Sequence, residues 1–477
     1  MEALNRWKCR RRYLSYSSSF LVYFLAINFI YIWLLVLAFS GSVKRVVEAK
    51  YTNFQLIASS HLTVPISVII PAYNEEVSIL NAVYSSLGLH YPEYEVIVIN
   101  DGSTDSTLKV LIDEFELTPE DMFYRIEIKT KPITGIFRSK RYPNLLVIDK
   151  ENEGKAEAIN AGVNLSRYRY IVMTDADSIF DHEGILRISR RVNIDPSHIV
   201  AVGGQLRIAN GLKVEKGEIV SKRLPERLVT KFQVVEYLGS FLGNRVGWSE
   251  INSVLVISGG YGLWRKDVFI ELGGMTSETT HEDIEFTFRL HEHYRKNKMH
   301  YRIEFLPDPI VFTEAPETWR GVFVQRRRWQ RVVNEVAWKY RRMFLRPRYG
   351  TVGMIGVPYM VIFETFGPFF ELGSYLLVTA TFIAGLLPLN LLLTFLLVSF
   401  GLTSVVRIAS VFIEQYSFRT YSIRSLPILF LLSLLENFGY HQYIAVARLY
   451  AFFDVLLGRK QWERIPRKGF ETEKSGH

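Results

Sequence analysis

The chain has 477 residues, 48% of them hydrophobic, with one cysteine and a formal net charge of +9. A single thiol excludes an internal disulfide framework and any multi-cysteine metal site, and the length allows two or three domains. The mean hydropathy of +0.09 is high for a soluble enzyme, so the apolar excess must be concentrated somewhere.

It lies at the two ends. Residues 13–43, 349–363 and 372–406 contain no Asp, Glu, Lys or Arg. The first and last of these runs exceed the roughly 20 apolar residues that a helix needs to cross a bilayer. Behind a basic tail at 1–19, residues 20–41 predict a transmembrane helix. This run is longer than the h-region of about 7 to 15 residues in a cleaved signal peptide, and no small-x-small site closes it. The basic clusters "RWKCRRR", "KYRRMFLRPR" and "RKQWERIPRK" flank the apolar runs, as cytoplasmic segments facing anionic lipid headgroups do. They are not interleaved with aromatics on one predicted face, so nucleic acid is not expected as a partner.

Residues 60–340 have the composition of a globular domain. "ISVIIPAYNEE" predicts a buried strand stopped by Pro71, with a helix behind it. "YEVIVIN" is a second strand, closed by "DGSTDST". Leu108, Leu111, Ile112 and Phe115 then mark one helical face. "NLLVID", the loop "KENEGK" and a helix with Ala156, Ile159 and Val163 form a third unit, and "YRYIVMTDADSIFD" supplies a fourth strand. This alternation predicts an α/β domain with a mostly parallel sheet and helices on both faces. Ligands bind such sheets beyond the carboxyl ends of the strands, where Tyr73, Asn74, Glu75, Asp101, Lys155, Asp175 and Asp177 should meet.

Asp175 and Asp177 could both face one hard cation, Mg²⁺ or Mn²⁺, that keeps positions open for phosphate oxygens. Alone, such a pair is more often a helix-capping turn. Lys155 at a helix start could meet a diphosphate, and Asp101 among small residues could meet a base or ribose. "SGGYGLWRKDVF" places Gly259, Gly260 and Gly262 beside Tyr261 and Trp264, which suits either a flat ligand or a tight turn over the core. In "ETTHEDIEFTFRL", Glu282, Asp283 and Glu285 crowd a helix start, where the dipole favours them and where a carboxylate could take a proton. Gln325, Arg328 and Trp329 share a face of the interfacial helix predicted at 318–338, offering a donor, a cation and an aromatic plane. At least three hydrophobic stretches follow within 351–457, at about 352–386, 388–412 and 425–457, and the sequence does not fix the number of spans. The first and third are broken by Pro358, Glu364, Pro368 and Glu371 or by Glu436 and Arg448, ahead of a basic tail at 458–477.

In order, "PAYNEE", "NDGSTD", "NEGKAEAINAG", "TDAD", "GGYGLWRKD", "HED" and "QRRRW" resemble the processive family 2 glycosyltransferases. These are the membrane synthases of cellulose, hyaluronan, chitin oligomers and poly-N-acetylglucosamine, and "LLGRKQWERIPRKG" strengthens the likeness to the last group and to hyaluronan synthases. The resemblance implies a GT-A domain inserted between transmembrane helices. Ala72, Tyr73, Glu75 and Asp101 would hold the uridine of a UDP-sugar, and Lys155, Gln325 and Arg328 its diphosphate. Asp175 and Asp177 would hold Mg²⁺ or Mn²⁺, Asp283 would be the general base, and Gly260, Tyr261, Glu282 and Trp329 would meet the acceptor. The expected activity is inverting transfer, with N-acetylglucosamine or a related hexose passed to a growing polysaccharide that is also translocated. Single transfer to a lipid acceptor is the alternative, and an inactive nucleotide-sugar-binding subunit a remoter one. The basic N-terminus and one preceding crossing would place the domain outside. A nucleotide-sugar donor instead requires a cytoplasmic domain on a multi-pass membrane protein, in contact with membrane lipids and open to export or accessory subunits. His281 replaces a usual threonine and "GGYGLWRKD" a more common Gly-Ala-Phe-Gly form, which leaves the acceptor less defined than the catalytic apparatus.

Overall fold

The computed structural model describes residues 2–60, 62–276, 282–459 and 469. His281 and nearly all of the basic C-terminal tail lie outside the described residues.

Among the described residues twelve strands follow in chain order: β1 (Ile66–Ala72), β2 (Tyr94–Asp101), β3 (Leu117–Pro119), β4 (Ile133–Ser139), β5 (Leu145–Lys150), β6 (Tyr170–Thr174), β7 (Ser178–Phe180), β8 (Ile199–Ile208), β9 (Leu212–Glu215), β10 (Glu218–Lys222), β11 (Tyr261–Arg265) and β12 (Arg302–Thr313). Ten of them form one sheet in the order β3-β4-β5-β2-β1-β6-β11-β8-β12-β7, and β9 and β10 form a hairpin. The centre, β5-β2-β1-β6, is parallel throughout. All seven residues of β1 and all five of β6 are buried, which is why these strands read as unbroken apolar runs and not as alternating ones.

Parallel register aligns the strand ends. Ala72 lies opposite Asn100 and Asp101 opposite Lys150, so the chain leaves β1, β2 and β5 at one edge. Pro71 does not stop β1, contrary to expectation. The β6 ladder reaches only to Ile69, so the missing N–H of Pro71 costs no hydrogen bond on that side. Beyond β6 the sheet changes direction: β11 runs antiparallel to both β6 and β8, and Tyr261 pairs with Thr174. The residues that enter β11, Gly259 and Gly260, therefore arrive at the same edge as the ends of the parallel strands.

Helices pack the strands as the periodicity predicts. Ile79–Leu87, Thr107–Phe115 and Lys155–Leu165 connect the parallel units, and Ile159 and Val163 of the third are fully buried. The first helix is continuous over Glu2–Lys50, and its Ser19–Arg45 portion is long and apolar enough to cross a membrane. So is Leu389–Ser417. Val352–Thr365 and Gly367–Ile383, bent by 44° at Phe366, make a third candidate if taken as one span. Arg207 of β8 forms a buried ion pair with Glu414, which ties the sheet to the Leu389–Ser417 helix.

Candidate active site

The edge where the parallel strands end is built from loops that hold one another. Asn74, in the left-handed conformation just after β1, accepts a hydrogen bond from the backbone of Thr104 (2.7 Å), and its own N–H donates to Ser103 Oγ (3.0 Å). The Glu75 N–H donates to Thr107 Oγ1 (2.8 Å) and its carboxylate accepts from Ser78 Oγ (2.8 Å). These contacts close the 72–76 and 101–107 loops against each other. Tyr73 stands at their rim with 37% of its surface exposed, while Ala72 is buried and offers only backbone.

Asp101 is placed differently from the expectation that it meets a nucleoside. It is buried, and Lys150 Nζ (2.8 Å) and the Glu153 N–H (3.2 Å) donate to Oδ1. Asn152 Nδ2 (3.1 Å) and the Gly154 N–H (2.8 Å) donate to Oδ2. With about four acceptor positions on a carboxylate, its own chain uses them all. Asp101 thus clasps the 151–154 loop and fixes where the next helix starts. Lys150, buried and also paired with Glu157, is a structural cation that motif reading missed.

That helix opens with Lys155, whose Nζ lies 2.6 Å from Asp175 Oδ1 and 3.4 Å from Glu282 Oε1. Burial alone would lower its pKa. The carboxylates of Asp175, Glu282 and Asp283 outweigh burial and hold the ammonium above its ordinary range. Glu282, expected on the acceptor side, is buried and turned toward Lys155. The Gly259 N–H donates to Asp283 Oδ2 (2.9 Å), and Asp283 Oδ1 caps the Ile284 N–H (2.7 Å). The turn into β11 is thereby tied to the first turn of Glu282–Lys296.

Gly260 explains itself by what a side chain would meet. A Cβ there would lie 2.8 Å from Asp175 Oδ2. Tyr261 overturns the expectation of an acceptor contact: strand alternation turns it to the other face, where it is fully buried edge-on to Phe180 (5.6 Å). Trp264 is likewise core, packed against Phe286 at 5.2 Å. Their aromatic character serves the sheet.

Asp175 and Asp177 stand after β6, Asp177 with 4% of its surface exposed and Thr313 Oγ1 at 3.4 Å. Among the described residues no group of three or more His, Cys, Asp or Glu could hold a metal ion. Two hard carboxylate donors fit Mg²⁺ or Mn²⁺, which dehydrate reluctantly and complete their shells with water and phosphate oxygens. The space kept by Gly260 beside Asp175 is consistent with that use.

The helix Trp319–Lys339 is started by Thr318, whose hydroxyl accepts from the Gly321 N–H (3.1 Å). Gln325, Arg328 and Trp329 are all half-buried, whereas Arg326 turns inward. Glu236 grips Arg326 with both oxygens (2.9 and 2.6 Å) and also accepts from Tyr440 OH (2.7 Å). Burial works against the Glu236 charge, but Arg326 prevails and lowers its pKa. The Arg326 guanidinium lies over the Trp329 ring at 4.3 Å, and Tyr237 is 6.2 Å from the same ring. Burial pushes the Tyr237 phenol up to about 12, with Arg326 opposing and Glu236 adding, and the charges of Arg245 and Asp177 also reach it. Tyr237 therefore packs beside the helix bearing Trp329 and lies within electrostatic reach of Asp177. Glu236, Tyr237 and Arg245 were not identified from the sequence, because they lie in an apolar helix without a motif.

A mixed, mostly parallel sheet covered by helices, with acidic and basic groups gathered where its parallel strands end, is the arrangement of a GT-A glycosyltransferase. Residues 67–269 match Glycosyl transferase family 2, and residues 170–453 match Glycosyl transferase family group 2. The chain belongs to glycosyltransferase family 2. It is 28% identical over 290 residues to a poly-beta-1,6-N-acetyl-D-glucosamine synthase of Staphylococcus epidermidis, covering 61% of this chain and 60% of that one. The synthase of the same name from Staphylococcus aureus (strain COL) is 27% identical over 301 residues, with 63% and 60% covered. The chain thus spans about 60% of the length of these curated relatives. Among solved structures, the mannosyltransferase PcManGT from Pyrobaculum calidifontis, in complex with GDP-Man and Mn²⁺, superposes with a TM-score of 0.53 at 16% identity. The match covers 91% of this chain and 99% of that one, and it speaks for the fold.

Proposed function

We propose that the chain is an inverting, metal-dependent transferase that passes a sugar of the N-acetylglucosamine class from a UDP-sugar to the hydroxyl of a growing polysaccharide. The observation that carries this reading is the convergence of Lys155, Asp175, Glu282 and Asp283 at the edge where the parallel strands end. The names of the staphylococcal relatives support the choice of sugar.

The nucleoside end of the donor lies against Tyr73 and Glu75, in the loop pair that Asn74 closes. Asp101 serves it indirectly, by holding the loop that delivers Lys155. Lys155 and Arg328 place positive charge on the diphosphate, with Gln325 as a donor beside them. Asp175 and Asp177 would hold Mg²⁺ or Mn²⁺, which supplies further neutralisation of the leaving diphosphate. Asp283, with one oxygen fixed by the Gly259 N–H, accepts the proton of the acceptor hydroxyl. That oxygen forms its bond to the anomeric carbon from the face opposite UDP. The bond to the diphosphate breaks with its electron pair, and the configuration inverts. Trp329 offers a ring face to the acceptor sugar.

Translocation through the apolar helices completes the reading. Charged groups inside such bundles mark pathways, and here Arg448 bridges Gln330 (2.7 Å) and Glu364 (2.9 Å) while His441 faces Glu371 (3.3 Å). In the test, membranes containing the protein are incubated with Mn²⁺ or Mg²⁺ and a panel of UDP-sugars, and the products are sized. A polymer ladder with one UDP-sugar, lost in Asp283→Asn, is expected. A single lipid adduct refutes polymerisation, and an undiminished ladder in Asp283→Asn refutes the assignment of the base.

A further inference from the structure

We propose that Arg245 is an acceptor-binding residue, donating hydrogen bonds to hydroxyl or acetamido oxygens of the glycan next to the attacking hydroxyl; the inference rests on the transferase reading above. Arg245 ends a π-helical stretch, Gly239–Arg245, inserted between the helices Leu228–Leu238 and Val246–Glu250. A π-turn inserts a residue into the helical ladder and re-aims the side chains around it, and such turns recur at functional sites.

The side chain is held without being satisfied. Its guanidinium lies 4.1 Å from the Phe241 ring centroid and 5.7 Å from that of Phe305, so two aromatic faces fix its plane. Nη1 is shielded from solvent and has no hydrogen-bond partner among the described residues. Among the described residues no carboxylate is within ion-pair distance of Arg245, unlike Arg207, Arg326 and Arg327, each of which grips an acid. A guanidinium kept in such surroundings with an idle donor is costly unless something else supplies acceptor oxygens.

Its position selects the ligand. The carboxylate whose charge reaches Arg245 most strongly is Asp283, followed by the Tyr237 phenol; burial draws the guanidinium down to about 10, which leaves it charged at neutral pH. Lys155 is engaged with Asp175 on the diphosphate side, whereas Arg245 has no acidic neighbour of that kind. From Arg245 the rings of Phe241, Tyr237 and Trp329 follow one another at 5.5 and 6.2 Å, leading to the helix face assigned to the acceptor. Sugar rings present C–H faces to aromatics and oxygens at their edges, which matches a line of rings ending in a forked donor.

The test uses the full-length protein in detergent or nanodiscs, with UDP-N-acetylglucosamine as donor and a soluble N-acetylglucosamine oligosaccharide as added acceptor. For Arg245→Met the apparent KM for the oligosaccharide should rise about 10- to 100-fold, the range for losing a hydrogen bond to a charged group. The Kd for UDP, measured directly, should stay within about twofold. Arg245→Lys keeps the charge without the fork and should fall between the two; it also keeps the proposal testable if the methionine variant misfolds. An unchanged acceptor KM in a folded variant overturns the inference while leaving the transferase reading intact. So does a parallel loss of UDP binding, which would make Arg245 a diphosphate ligand. A wild-type protein that transfers from no UDP-sugar overturns both.

Discussion

Two adjacent glycines make opposite demands on their surroundings, and the contrast can be measured. A methyl group at 260 would sit 2.8 Å from Asp175 Oδ2, roughly 0.6 Å inside ordinary contact distance. Asp175 cannot simply swing aside, since Lys155 holds its other oxygen at 2.6 Å, and the Leu206 methyl groups lie 3.5 Å from the same point. Overpacking of this kind costs about 1–3 kcal/mol. If Asp175 rotates away and its place in the cation site is lost, that cost becomes a roughly 5- to 150-fold increase in the Mn²⁺ concentration for half-maximal activity. At 259 a methyl group would instead come within 3.1 Å of Lys155 Nζ, only a few tenths of an ångström inside ordinary contact, with Glu282 and Asp283 at ordinary distances. Gly259→Ala should therefore stay within about twofold of wild type. Both positions lie outside the left-handed backbone region, so alanine brings no conformational strain. The assay is sugar incorporation in membranes across a Mn²⁺ titration. Equal titrations for the two variants, or a wild-type titration for Gly260→Ala, would refute the argument.

Three further outcomes follow from the same geometry. Glu236→Gln leaves the buried Arg326 without its counter-charge, an effect of about 3–5 kcal/mol, and should lower the thermal unfolding midpoint together with activity; retention of both would show that the 319–339 helix does not depend on this pair. Asp101→Asn should weaken UDP binding and lower thermal stability together, because it loosens the 151–154 loop; loss of UDP binding with an unchanged midpoint would instead show direct contact with the nucleoside. His291, buried between Tyr301 OH (2.6 Å) and Val254 O (2.8 Å), has its pKa lowered by burial from 6.5 to about 4. The unfolded ring takes up a proton that the folded ring refuses, so stability is full above about pH 6.5 and falls as pH drops toward 4, by up to ~3 kcal/mol. Unfolding midpoints between pH 7.5 and 4.5 should show that slope, and His291→Gln should flatten it.

The strands of the parallel centre could be read because both their faces are buried, and the polar residues at their ends could be read because parallel register brings those ends together. Pattern reading failed where the deciding contact lies across the fold. Whether Pro71 ends a strand depends on how far the neighbouring β6 extends, and β6 lies about a hundred residues away. Tyr261 follows two glycines, and nothing local says on which side of the turn the alternation restarts; pairing with Thr174 decides it. Asp101 looks like a ligand by motif, yet its partners Lys150, Asn152, Glu153 and Gly154 sit within a loop that reads as solvated. Glu236 and Tyr237 carry no signal because their helix, Leu228–Leu238, is largely apolar and bears no motif, and Arg245 carries none because a π-turn leaves no distinctive periodicity in seven residues.

The boundary between β6 and β11 has a consequence for how such an enzyme can diverge. On one side the central strands β5, β2, β1 and β6 all run alike; on the other, β11 runs antiparallel to β6 and β8, while β12 runs parallel to β8. The two halves meet along a single ladder of five residue pairs, with Asp175 and Gly260 facing each other at its end. Substitutions within 66–174 and within 199–313 therefore act on different stretches of this edge. Residues at the seam answer to both, which makes them positions where a substitution is hard to accommodate.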